Sequence, residues 1–263
     1  MLRTERLTSS ANPFVKEIRR AAARGALTRD GCCIAETFHL LDEALRSGCE
    51  VAAVVAAESA RPAVEERIGN LRGIRLIVLD DGLFQAASAT ESAQGVMALV
   101  RPPAWELDRL FGGTPLVVVL DGIQDPGNAG AILRAAEAFG ATGVMFLKGS
   151  VSPYNPKAVR ASAGSVFRVP LAAALEPEAA RAALDEHGLD VYAAMPSGGK
   201  EPSEVDLRRK CALIIGSEGR GVSDEARAEA FSLRIPVTGV ESLNAAMSAG
   251  ILLYEARKQR ALG

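Results

Sequence analysis

No stretch of this chain approaches the ~18 consecutive apolar residues of a transmembrane helix, although 48% of its 263 residues are hydrophobic. The opening Met1-Leu2-Arg3-Thr4-Glu5-Arg6 lacks the apolar run and small-residue cleavage site of a signal peptide. The four cysteines, Cys32, Cys33, Cys49 and Cys211, make no Cys-x-x-Cys pair, and two are adjacent. That spacing argues against a zinc site or a disulfide framework. There is no GxxxxGK[ST] phosphate loop and no internal repeat. Excess charge is missing too: the formal net charge is −2, which excludes a polybasic binder. Together these absences point to a soluble, cytoplasmic protein with no membrane or metal partner.

The apolar share is that of a globular protein, and the length allows one large domain or two modest ones. Charge is unevenly spread. Residues 1–29 carry seven cations, among them Lys16 and Arg19, against Glu5 and Glu17, a local net of +5. A solvated helix face and a phosphate-contacting surface both fit this excess.

Pattern reading gives alternating strands and helices. In the first half, strand-like runs lie at 32–35, 51–57, 74–79 and 96–100, with helices near 13–24, 37–47, 62–70 and 81–88. Asn12 can cap the first helix, with Pro13 in its first turn. Arg101-Pro102-Pro103 and Gly112-Gly113-Thr114-Pro115 bracket a linker in which Trp105 serves as an anchor. The second half opens with Leu116–Leu120, five apolar residues without alternation, as expected of a parallel strand buried on both faces. Further strands are expected near 143–147, 190–194, 211–215 and 232–235. Helices fit 128–139, 156–163, 176–187, 223–230 and 243–260. The expected domains are 1–104 and 114–263, joined by 105–113.

Ligands of open parallel sheets bind where strands end, and three loops there stand out. Asp121-Gly122-Ile123-Gln124-Asp125-Pro126-Gly127-Asn128-Ala129-Gly130 runs from a buried strand into a helix that Asn128 can cap, and Arg134 lies six residues on. Ile215-Gly216-Ser217-Glu218-Gly219-Arg220-Gly221 is a second glycine-rich turn, spaced GxxGxG rather than as the dinucleotide fingerprint GxGxxG. Three glycines there imply positive φ or close approach of another group. The third segment, Ile235-Pro236 followed by Ser242-Leu243-Asn244 and Ser248, places Ser242 as a natural cap of the last helix and Asn244 in its first turn.

Taken together, the three loops resemble the motifs of the SpoU (TrmH) family of RNA methyltransferases, within the SPOUT group. Order and spacing both agree. Ser152-Pro153-Tyr154-Asn155-Pro156-Lys157 with Arg160-Ala161-Ser162-Ala163-Gly164-Ser165 is similar to the family's basic segment between the first two motifs. The first half, from Thr8-Ser9-Ser10-Ala11-Asn12-Pro13 to Glu91-Ser92-Ala93-Gln94-Gly95-Val96, resembles its small substrate-binding domain. One departure is Glu36-Thr37, where many relatives have Glu-Gly. The likeness covers essentially the whole chain.

The resemblance implies an α/β fold: a small substrate-binding domain followed by a parallel-sheet methyltransferase domain with a trefoil knot. It implies S-adenosylmethionine (SAM) as cofactor, a homodimer, and a ribose 2′-hydroxyl as acceptor, in ribosomal RNA ahead of transfer RNA. Under it Arg134, Asn128, Glu218, Ser242 and Asn244 form the catalytic set. Met195, Gly216, Ser217, Glu218, Gly219, Ile235, Ser242, Leu243 and Asn244 face the cofactor. Lys16, Arg19, Lys157 and Arg160 grip RNA. His39 and His187 lie outside the motifs, and no metal is required. The family proposal makes the Arg a general base; a guanidinium stays protonated in proteins, so electrostatic stabilisation of the developing alkoxide is the expectation for Arg134. Ala245, Ala246 and Ala249 on the last helix are a candidate dimer surface. Other readings are a non-catalytic RNA binder on the same scaffold, a dinucleotide enzyme using 216–221, and a base nitrogen as methyl acceptor.

Overall fold

The computed structural model describes residues 3–71, 73–90 and 93–261. Glu91 and Ser92 of the closing motif of the first half, and Met1 and Leu2, lie outside the described residues. The chain divides into two units: Met1–Pro103 with Tyr154–Phe167, and Ala104–Pro153 with Arg168–Gly263.

The first unit contains β1 (Arg3–Leu7), α1 (Pro13–Arg24), β2 (Cys33–Glu36), α2 (Phe38–Arg46), β3 (Glu50–Ala57), α3 (Arg61–Ile68), β4 (Arg75–Leu79), α4 (Asp81–Ala87) and β5 (Val96–Arg101). Its five strands run in the order β1-β4-β3-β5-β2, with β5 antiparallel to β2 and β3 and the remaining pairs parallel. The α1 start is as the sequence dictates: Asn12 Oδ1 accepts from Phe14 N–H at 2.9 Å, and Pro13 opens the helix. Val15, Ile18 and Ala21 are its buried stripe. Strand β1 was not expected. Its residues are exposed but for half-buried Leu7, and charges along an exposed edge are how sheets avoid further pairing; periodicity cannot reveal such a strand.

The second unit begins with a 3₁₀ turn, Leu107–Phe111, inside the expected linker. It continues through β6 (Leu116–Asp121), α5 (Pro126–Phe139) and β7 (Gly143–Leu147). After α6 (Pro156–Ala161), which groups with the first unit, come β8 (Leu171–Leu175), α7 (Pro177–Glu186), β9 (Asp190–Ala194), β10 (Cys211–Gly216), α8 (Asp224–Arg227), β11 (Phe231–Leu233) and α9 (Ala245–Ala261). The sheet is parallel throughout, in the order β11-β9-β10-β6-β7-β8. Strand β6 is buried along its whole length, as its unbroken apolar run requires. Strand β8 escaped the sequence reading because Leu-Ala-Ala-Ala-Leu has no β-branched residue and only one of its positions is fully buried. The helix expected at 223–230 is only the short α8, because the chain turns at Glu229 (φ +58) into β11.

Two capping expectations are corrected. Asp125, not Asn128, caps α5: its Oδ1 accepts from Asn128 N–H at 2.7 Å, and Pro126 follows at the first helical position. Asn244, not Ser242, caps α9, its Oδ1 accepting from Ala246 and Met247 N–H at 2.9 and 3.3 Å. At the other end of α9, Arg260 donates to the carbonyls of Thr114, Pro115, Leu207 and Arg209. Those residues flank the amino ends of β6 and β10, so α9 is fastened near the amino ends of the strands. Ala245 and Ala249, expected on a dimer surface, are buried within this unit instead. The exposed apolar face of α9 is Met247, Ile251 and Tyr254 at 58, 38 and 57% exposure, spaced i, i+4, i+7 along one side.

The inserted segment 154–167 is seated among first-unit residues by three contacts. Gly25 (φ +60) lies against Asn155, where a Cβ would come within 2.2 Å of its Nδ2. Gly164 (φ +93) lies under Glu43, where a Cβ would come within 2.7 Å of the side chain. Arg160 reaches the buried carboxylate of Glu36 at 3.8 Å. Glu36 also accepts from Ala89 N–H at 2.7 Å and from the hydroxyls of Ser88 and Thr90, each at 3.2 Å. Next to it Thr37 sits at φ +142, a region open essentially to glycine. The residue after Glu36 is therefore strained here.

Candidate active site

At the carboxyl ends of β9, β10 and β11 the loops that follow these strands surround one cavity of about 440 Å³, well within the size of small-molecule sites. Every residue expected to face the cofactor, apart from Asn244, lines it. Met195, Ile235 and Leu243 give it apolar walls, and the 216–222 turn contributes backbone and glycine surface.

The turn's glycines have separate reasons. A Cβ on Gly216 would fall 2.1 Å from the Gly221 carbonyl carbon and 2.2 Å from Val222 N, so the returning chain fills the space a side chain needs. Gly221 itself has φ +69, and its N–H donates to Ser217 O at 2.8 Å, closing the turn. Gly219 meets nothing within 4 Å of an added Cβ. At the base of the turn the buried Asp121 accepts from Ser223 N–H at 2.6 Å. Ser223 Oγ accepts in turn from Ala226 N–H at 3.2 Å, capping α8.

At the rim, one side-chain chain of hydrogen bonds ties the three sequence motifs together. Asn128 donates its Nδ2 to Glu218 Oε1. Asn244 donates its Nδ2 to Asn128 Oδ1 at 3.0 Å. The corrected caps explain how. With Asp125 capping α5 and Asn244 satisfying the first amides of α9, the Asn128 amide is free to bridge the loops after β6 and β10. Ser242 lines the cavity but takes no part in this chain. Arg134 is exposed on α5 with no hydrogen bond or ion pair among the described residues. It lies one turn beyond Gly130 and two beyond Gly127 on the same helix face, leaning toward the α5 N-terminus. Sequence reasoning missed Asp121, Asp125 and Ser223. The Asp-Pro pair at 125–126 was a readable cap signal, whereas nothing local marked Asp121.

In the first unit, Lys16 and Arg19 are exposed on α1 with no ion pair among the described residues. Arg20 and Arg29 share Glu17 at 2.6 and 3.5 Å. The Arg20 guanidinium holds that carboxyl down to about 2, aided by the Arg29 backbone and charge, against the effect of desolvation. Lys157 is exposed on α6. Arg160, expected at RNA, is held against Glu36. Burial pushes the Cys211 thiol up to about 11 and Cys33 higher still, which leaves both poor nucleophiles. Among the described residues no group of three or more His, Cys, Asp or Glu is placed to hold a metal ion, and no helix is long and apolar enough to cross a membrane.

Comparison with known proteins agrees with this arrangement. Residues 115–254 match the SpoU rRNA Methylase family, and residues 12–98 match the MRM3-like substrate binding domain. The chain is 31% identical to the 23S rRNA (guanosine(2553)-2′-O)-methyltransferase RlmP of Bacillus subtilis, over 96% of this chain and 99% of that protein. It is 34% identical to the 23S rRNA (uridine(2479)-2′-O)-methyltransferase of Streptomyces viridochromogenes, over 75% and 72%. Among solved structures it superposes on the SpoU methyltransferase AviRb of Streptomyces viridochromogenes in complex with AdoMet, with TM-score 0.87, 28% identity and coverage of 96% and 99%. An AdoMet-bound rRNA methyltransferase of Sinorhizobium meliloti gives TM-score 0.82 at 28% identity, over 97% and 98%. The chain belongs to the SpoU rRNA methylase family and is a methyltransferase.

Proposed function

We propose that this protein methylates a ribose 2′-hydroxyl of large-subunit ribosomal RNA, using SAM bound in the cavity at the strand ends. The observation that carries the reading is the hydrogen-bond chain Asn244–Asn128–Glu218 at the rim of that cavity. It holds polar groups from three loops at the mouth of a pocket with apolar walls, the combination that fits a cofactor with a flat base and a charged tail. When bound there, SAM supplies a methyl group already activated on a sulfonium. The protein's part is to align the acceptor and manage its proton. Asn128 and Glu218 fix the rim, so that a ribose is presented in one orientation; such positioning is worth several kcal/mol. Arg134, exposed and free of protein partners among the described residues, donates to the acceptor oxygen as negative charge develops on it. A guanidinium has donors only, so the proton leaves to another acceptor, for which the neighbouring phosphate is suited. Lys16, Arg19 and Lys157 supply cations for RNA phosphates. The acceptor in the named relatives is a 23S rRNA ribose, which favours ribose over a base nitrogen and ribosomal over transfer RNA.

The same reading includes a trefoil-threaded cofactor domain, a cytoplasmic location and a homodimer. The dimer surface is the exposed α9 face Met247, Ile251 and Tyr254, with Phe139 edge-on to Tyr254 at 5.8 Å, since a contiguous apolar stripe of this kind marks an association surface. Light scattering of Ile251→Glu beside the parent chain checks it: a monomer from the variant and a dimer from the parent are expected, and a monomeric parent removes the dimer.

The test of function is calorimetric titration with SAM, NAD serving as control, followed by digestion of methylated RNA for 2′-O-methylnucleosides. Saturable SAM binding, silence with NAD and a 2′-O-methylated product are expected. Arg134→Ala is expected to lower turnover by about a hundredfold, the scale of losing one oxyanion donor, while SAM affinity stays near that of the parent. Turnover near the parent's would remove Arg134 from the chemistry.

A further inference from the structure

The chain from the end of β6 to the first turn of α5 grips the 216–223 turn at two points. At the exposed tip, Asn128 donates to Glu218. At the base, the buried Asp121 carboxylate accepts from Ser223 N–H at 2.6 Å. The geometry points to Asp121 as a positioning residue for cofactor binding: a buried latch that sets the shape of the 216–223 turn, while the tip contact serves the acceptor. This rests on the reading that the cavity holds SAM.

The latch follows from where the turn leaves and re-enters the fold. Gly216 ends β10 and is the register partner of Asp121 at the end of β6. The chain departs there, doubles back on itself at Gly221, and returns at Ser223. One residue of β6 therefore holds both ends, Gly216 through the strand ladder and Ser223 through its side chain. Residues 216–222 all line the cavity, and so do Asp224 and Arg227 of α8, the helix that Ser223 caps. If the latch is lost, the turn keeps its internal bonds, Gly221 N–H to Ser217 O at 2.8 Å and Arg220 N–H to Ser217 Oγ at 3.3 Å, with the ladder at Gly216, the tip contact of Glu218 and the packing of buried Val222. None of these holds the Ser223 amide to the end of β6. Loosening the base displaces the cofactor wall, whereas cutting the tip leaves that wall in place and frees Glu218.

The two grips thus separate affinity from rate. The experiment titrates the full-length chain with SAM and measures methylation of its RNA at saturating SAM in Asp121→Ala, Asp121→Asn, Ser223→Ala, Ser223→Pro and Asn128→Ala. Proline matches the Ser223 φ of −64° and removes the N–H, whereas alanine keeps the N–H and removes only the cap. Losing a buried charge-assisted hydrogen bond is expected to weaken SAM binding at least roughly tenfold in Asp121→Ala. Asp121→Asn, which still offers an oxygen, recovers most of that loss. Ser223→Pro is expected to bind SAM at least roughly fivefold more weakly than Ser223→Ala, since both lack the cap and one also lacks the donor. In the Asp121 variants the loss falls on the SAM dissociation constant more than on the saturated rate; in Asn128→Ala the order is reversed. Asp121→Ala binding SAM as tightly as the parent overturns the latch, as does an equal loss in Ser223→Ala and Ser223→Pro. If Asp121→Ala fails to fold, the serine pair and Asp121→Asn decide by the same criteria. A parent chain that does not bind SAM removes the cavity reading and the latch together, an outcome distinct from tight binding in both parent and variant.

Discussion

Each unit of the molecule has a polar cluster at the end of a β-strand, and the two clusters are built for opposite ends. In the first unit Glu36 ends β2 at 5% exposure and accepts from the Ala89 amide and two hydroxyls, with the Arg160 guanidinium 3.8 Å away. In the second, Asn128, Glu218 and Asn244 are exposed or half-buried and bonded to one another in a single line at the rim of a cavity. A buried carboxylate engaged in this way orders a loop and is closed to a ligand by its burial. A line of amides and a carboxylate bordering an opening keeps lone pairs and N–H groups to spare. Residue type does not distinguish the two, since both contain an acidic side chain beside a basic or amide partner. What distinguishes them is the sheet. The parallel sheet sends the loops after β9, β10 and β11 to one end, where they part around a cavity; the mixed sheet sends the 88–90 turn and α6 onto Glu36 and closes over it.

The largest expected effect comes from removing the space on which the open cluster depends. Gly216→Ala drives a methyl group into the backbone of Gly221 and Val222, and weakening of SAM binding by at least ~100-fold, about 2.7 kcal/mol, is expected in calorimetric titration. Binding within threefold of the parent's would show that the turn has room the glycine does not reveal. Next is the closed cluster. Glu36→Ala strands the Ala89 amide and leaves a partly buried guanidinium without its counter-charge, for a stability loss of about 2–4 kcal/mol. Chemical denaturation should show it, with SAM affinity unchanged because the cavity residues all lie in the other unit. An equal loss of SAM binding would mean that the two clusters are not independent. The smallest effect is a gain. Thr37→Gly relieves the φ of +142°, worth about 1–3 kcal/mol. It gives up the Thr37 Oγ1 bond to Leu40 N–H at 3.1 Å, a cap that glycine replaces at a cost of a few tenths of a kcal/mol. A net stabilisation of about 1 kcal/mol is expected, and a destabilised variant would show that the cap outweighs the strain.

Much of this was legible along the chain. The unbroken apolar run of β6 announced a parallel sheet, and of the three loops singled out two line one cavity and the first is joined to them through Asn128. Where reading failed, the deciding information lay elsewhere in the fold. Asn128 and Ser242 are acceptable caps by type, yet Asp125 with Pro126 and Asn244 took those places. Local sequence offers several candidates within one turn, and tertiary demand on the Asn128 amide selects among them. The alanines of α9 face inward because α9 packs on α5 and β10, a neighbour relation that small side chains permit but do not specify. Arg160 reads as a basic residue of its segment, and only the fold shows Glu36 beside it.

By itself the sequence determined which apolar runs are buried strands and which glycine-bearing loops follow them, because periodicity, backbone freedom and residue type act over a few neighbouring positions. Only the tertiary structure decided which polar group meets which: Asn128 with Glu218 across 90 residues, Asp121 with Ser223 across 102, and Glu36 with Arg160. Those pairings are set by strand order and by the insertion of 154–167 into the first unit, and hydrogen bonds between distant side chains leave no periodic trace in the chain that makes them.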